Sequence, residues 1–110
     1  MVYDGGMDQE CIKICDAINR IPGLKTFESC CGHGESEFRI YFFVRSLKHL
    51  PVLLYYLDPC HVGFRWNCQV YTDCSMCPAR FRIGSYSIGK KAYEEADKIA
   101  DRINDHMDSL

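Results

Sequence analysis

The stretch Phe38–Val44, FRIYFFV, constrains this chain more than any other. Phe38, Ile40, Phe42 and Val44 alternate with Arg39, Tyr41 and Phe43, and Arg45 continues the second set. A period of two is that of a β-strand, here with one face wholly apolar. Such a face has to be covered by something else in the fold. Two further runs alternate in the same way. HVGFRWNCQVYT sets Val62, Phe64, Trp66, Cys68 and Val70 against Gly63, Arg65, Asn67, Gln69 and Tyr71, and ARFRIGS sets Ala79, Phe81 and Ile83 against Arg80 and Arg82. A short strand is expected at Leu24–Glu28.

The covering elements are helices. Asp8 can cap a helix in which Cys11, Ile14, Cys15 and Ile18 recur at spacings of three and four, with Pro22 and Gly23 ending it. Cys11 and Cys15 lie on this stripe and read as small buried residues. SLKHLPVLLYYL predicts a helix from Ser46 to Leu57, with Pro51 in its first turns or bending it. From Gly89 onward, Ala92, Ala96, Ile99, Ala100, Ile103 and Met107 form one helical stripe. The predicted order is αββαββα. It implies an α+β fold in which a mainly antiparallel sheet of about four strands carries its helices on one face. Residues 1–110 read as a single domain, and the two helix–hairpin units repeat in architecture but not in sequence.

Eight cysteines are many for 110 residues. The N-terminus MVYDGGMDQE lacks the basic start and apolar core of a signal peptide, and no apolar run reaches the roughly 20 residues of a membrane span. A cytoplasmic protein with no membrane association is therefore expected, its cysteines being thiols or metal ligands rather than a disulfide framework. The formal charge of −2 is unevenly spread: residues 36–91 hold eight basic and three acidic side chains, leaving −7 for the two ends. A basic middle is compatible with an anionic ligand.

Between the first two strands stands TFESCCGHGESEF. Ser29, Cys30, Cys31, Gly32, His33 and Gly34 make it the candidate ligand-binding loop. Its glycines permit positive φ and close backbone approach, and its thiols and imidazole are metal ligands. Backbone amides in such a loop can also capture an anion. Cys74 and Cys77 form a C-x-x-C followed by Pro78 and a strand rather than by the helix N-terminus that a redox dithiol wants. With His33 and either Cys30 or Cys31 they would make a tetrahedral zinc site. A third use of the loop is Cys30 or Cys31 as nucleophile with His33 as base. Cys60 and His61, adjacent at an expected strand start, would point to opposite faces, so that one of them alone, rather than the pair, could contribute a ligand. His49 and His106 read as surface residues.

The second face of the sheet would present Arg39, Tyr41, Phe43, Arg45, Arg65, Asn67, Gln69, Tyr71, Arg80 and Arg82, unless the final helix covers part of it. Guanidinium groups beside aromatic rings are the combination used by single-strand nucleic-acid binders.

Asn19, Pro22, Gly23, Thr26 and Ser29-Cys30-Cys31-Gly32-His33-Gly34 resemble the pattern of a group of small bacterial and phage proteins without an assigned activity; the similarity extends through Trp66 and Phe81 into the final helix. Ser29-Cys30-Cys31-Gly32 is also similar to a loop of the wybutosine-synthesis transfer-RNA methyltransferase family, which has serine at the place of Cys31 and arginine at that of His33. The likeness implies S-adenosylmethionine and RNA modification as an alternative to the expectation drawn from the residues themselves, a Cys/His loop that binds zinc or a small anionic ligand. Whether the protein is an enzyme is left open by both.

Overall fold

The computed structural model describes residues 8–71 and 79–110. In chain order they form α1 (Gln9–Asn19), β1 (Leu24–Cys30), a tight turn at Gly32–Gly34, β2 (Glu37–Val44), α2 (Leu50–Tyr55), α3 (Pro59–Val62), β3 (Trp66–Val70), β4 (Ala79–Ile88) and α4 (Lys90–Asp108). The strands make one antiparallel sheet in the order β1-β2-β4-β3. The fold is α+β, as the alternation predicts.

Phe38, Ile40, Phe42, Val44, Trp66 and Ile83 point to one side, where they join Ile14 and Ile18 of α1, Leu50 and Leu53 of α2, and Ala92, Ala96, Ile99 and Ile103 of α4 in a single core. Fully burying a side chain of this size stabilises the fold by about 1.5–3 kcal/mol, so the stripes on α1 and α4 hold them to the sheet. The alanines of α4 let its backbone approach closely. Lys13–Asp101 at 2.8 Å and Arg20–Asp108 at 2.6 Å link the two helices, but exposed pairs contribute about 1 kcal/mol at most. Glu95 of α4 is buried and accepts hydrogen bonds from Trp66 Nε1 (3.0 Å) and Ser87 Oγ (2.7 Å), tying the edge strand to the helix.

The middle of the chain departs from expectation. In place of one helix over residues 46–57, α2 begins around Pro51, which sits in its first turn where a missing N–H costs nothing. A second helical turn, α3, then occupies residues expected to begin a strand. Asp58 caps it by accepting the Cys60 N–H at 2.8 Å, Pro59 opens it, and Gly63 at φ 86° closes it. Val62 is thus buried from a helix rather than a strand. Cys60 and His61 are exposed on this turn, with the His61 ring stacked 3.6 Å from Tyr55.

The register between β1 and β2 shifts between Thr26 and Glu28, a bulge that turns the Phe27 ring onto the second face of the sheet. All the core-forming helices pack on the other side, so none of the described helices covers this face.

Candidate metal-binding loop

The site forms where β1 turns into β2. Gly32, His33 and Gly34 have φ of 82°, 53° and 80°. A Cβ on Gly32 would lie 2.8 Å from the Glu37 carbonyl oxygen, so this position needs glycine both for its φ and for its space. His33 holds the left-handed conformation without glycine's freedom, at a cost of about 1–2 kcal/mol. The turn packs against the start of α4: a Cβ on Gly89 would stand 3.8 Å from Gly34 Cα.

Three side chains converge here. Asp8, at the N-terminus of α1, does not cap its own helix through its side chain; its Oδ2 accepts the Cys31 N–H at 2.9 Å instead. His33 Nε2 lies 3.9 Å from the same oxygen, and His33 Nδ1 lies 3.8 Å from Cys31 Sγ. One ligand atom from each of Asp8, Cys31 and His33 lies within 4.8 Å of the others. The sulfur also accepts the His33 N–H at 3.4 Å and the Tyr93 hydroxyl at 3.8 Å. Cys31 is 3 % exposed and forms the inner wall, whereas the His33 side chain is 69 % exposed and forms the rim.

The electrostatics follow from these contacts. The Cys31 N–H holds the Asp8 carboxyl below its usual range against the opposing effect of burial. Burial pushes the Cys31 thiol up, outweighing the His33 amide and the Tyr93 hydroxyl. A raised thiol is the reverse of what an activated nucleophile needs. It can still become a metal ligand, because a bound cation displaces the proton.

The structure separates the two adjacent cysteines. Cys30 is paired in register with Arg39 and so belongs to the second face of the sheet, and its sulfur accepts the Gly32 N–H at 3.4 Å. Ser29 faces the core opposite Ile40; its hydroxyl is buried without a hydrogen bond among the described residues. Near it are the Cys11 and Cys15 thiols, which burial pushes up to about 12 and about 11. These two are core residues, as their stripe predicts. Cys74 and Cys77 lie outside the described residues. The amides of Cys31, Gly32 and His33 all donate within the chain, to Asp8, Cys30 and Cys31 respectively. The loop therefore presents its side chains outward more than its backbone donors.

Arg39, Tyr41, Arg80 and Arg82 share the second face of the sheet by register. Arg65 precedes β3 and lines a cleft of about 660 Å³ with Phe64, Tyr86, Ser87, Ile88, Lys91 and Glu95. No protein-family model matches the chain, and neither a curated protein nor a solved structure is found to be similar to it. Sequence reading missed Asp8 as a site residue, and Tyr93 altogether. They meet Cys31 across 23 and 62 residues of chain, separations that no local pattern encodes.

Proposed function

We propose that the protein binds a zinc ion through Asp8, Cys31 and His33. The observation that carries this reading is the mutual approach of one carboxylate oxygen, one sulfur and one ring nitrogen. With zinc bonds of about 2.0–2.3 Å, tetrahedral ligand atoms stand about 3.4–3.6 Å apart. A metal takes one nitrogen of the His33 ring, and Nδ1 is the one near Cys31 whereas Nε2 is the one near Asp8. With one atom from each residue the three lie within 4.8 Å of one another, so the exposed His33 ring has to move inward by about an ångström to close the site. A carboxylate, an imidazole and a thiol are also a donor set that zinc takes readily. The engagement of the loop amides favours this over capture of an anion.

Three protein ligands leave a fourth tetrahedral position for water, a substrate or a further side chain. Zinc there would act as a Lewis acid on whatever occupies that position. Tyr93 donates to the Cys31 sulfur and so orients it, a role typical of groups one step removed from a metal.

Elemental mass spectrometry on untagged protein purified without chelator tests the reading. About one zinc per chain is expected, lost in Cys31→Ser and in His33→Ala and retained in Cys30→Ser. A wild-type protein that holds no metal after incubation with zinc and desalting overturns it.

A further inference from the structure

We propose that the face of the sheet opposite the helices is a binding surface for single-stranded nucleic acid. The bulge in β1 places the Phe27 ring, 38 % of the residue exposed, in a stack 4.4 Å from Phe43. Tyr41 continues the array 6.1 Å from Phe27 and meets Tyr71 edge-on at 5.1 Å. The rings thus reach from β1 across β2 to the end of β3. The Arg80 guanidinium lies 5.7 and 5.4 Å from the Phe27 and Phe43 ring centres, and that of Arg82 lies 6.0 Å from Tyr41. Flat rings and guanidinium planes are surfaces on which bases stack without regard to sequence.

Charge selects the occupant. Among the described residues of this face, Lys25, Arg39, Arg80 and Arg82 outnumber Glu28 and Glu37. The helices on the opposite side are acidic: α1 carries two acidic residues against one basic, and α4 six against four. A second copy of the chain would bring two basic faces together, which like-charge repulsion disfavours. Duplex nucleic acid keeps its bases in their own stack, out of reach of a flat aromatic surface. A single strand satisfies both rings and cations. Arg82 is already ion-paired with Glu37, so few phosphates are neutralised, and the salt dependence should be shallow.

The test is fluorescence anisotropy with a short fluorescein-labelled oligouridine and a labelled duplex of equal length. The single strand should bind at least about tenfold more tightly than the duplex. The plot of log affinity against log salt should have a slope no steeper than about −2. Phe27→Ala should weaken binding about tenfold or more, with circular dichroism and metal content unchanged. Should that variant fail to fold, Phe27→Leu keeps apolar bulk without the ring and should show the same loss. No binding at low salt, equal affinity for the duplex, or wild-type affinity in a folded Phe27 variant overturns the proposal. So does a dimer in sedimentation that Phe27→Ala abolishes while the oligonucleotide remains unbound.

Discussion

Asp8 has three groups beside it that act on its charge in the same direction, the Cys31 amide, the Cys31 thiol and the His33 ring, and its carboxyl is held below the usual range chiefly by the first. A carboxyl with a lowered folded-state pKa contributes stability that is present above its ordinary pKa and is lost as the pH falls through the lowered one. In metal-free protein, Asp8→Asn keeps an acceptor for the Cys31 N–H and removes only the charge. It should therefore cost about 1 kcal/mol or less near neutral pH, the side chain being 27 % exposed and partly screened. The gap in urea midpoints between wild type and variant should close as the pH falls below about 4. A gap that persists unchanged at low pH would show that it comes from an uncharged difference between the carboxyl and the amide rather than from the charge of Asp8. At this scale the sequence was partly legible. Cys31 and His33 stand two residues apart between glycines, so their proximity could be read locally. Asp8 could be read only as a cap, because a residue that opens an amphipathic helix looks the same whether its carboxylate turns inward to that helix or across to another strand.

The turn at Gly32–Gly34 and the helical turn α3 show how elements are made by a few positions. Gly32 and Gly34 have almost the same φ, but only Gly32 faces a neighbour, the Glu37 carbonyl, while the space at Gly34 is open. Gly34→Ala should cost about 1–2 kcal/mol for the left-handed conformation alone. Gly32→Ala adds a backbone clash at 2.8 Å and should cost clearly more, with loss of the metal even where the fold survives. Chemical unfolding of the two variants side by side checks the order, and equal losses would mean that the turn relaxes around the new methyl. The same attention to capping explains the misread segment at residues 58–63. Asp58, Pro59 and Gly63 are start and stop signals of a single helical turn. The period-two pattern ran through them because Val62, Phe64 and Trp66 are all apolar, and one turn of helix is too short to display a period of its own.

Alternation tells which face a residue occupies but not which strands are neighbours, so the order β1-β2-β4-β3 was not legible even though the fold class was. That order decides what the loops can share. Glu37, just after the candidate metal-binding loop, pairs with Ile88, and the loop's Gly34 abuts Gly89. Val44, at the far end of β2, pairs with Ala79. The seven steps between Glu37 and Val44 span about 23 Å. Cys74 and Cys77 fall between Tyr71 and Ala79 in sequence and lie outside the described residues. Both flanking positions belong to the Val44 end of the sheet, since Tyr71 N–H donates to the Arg80 carbonyl at 2.8 Å. If Asp8, Cys31 and His33 hold the ion as proposed, the double variant Cys74→Ser/Cys77→Ser should keep the zinc that Cys31→Ser loses. Loss of the metal in the double variant, with an unchanged circular dichroism spectrum, would mean that the cysteine pair supplies ligands and that Asp8, Cys31 and His33 do not hold the ion by themselves.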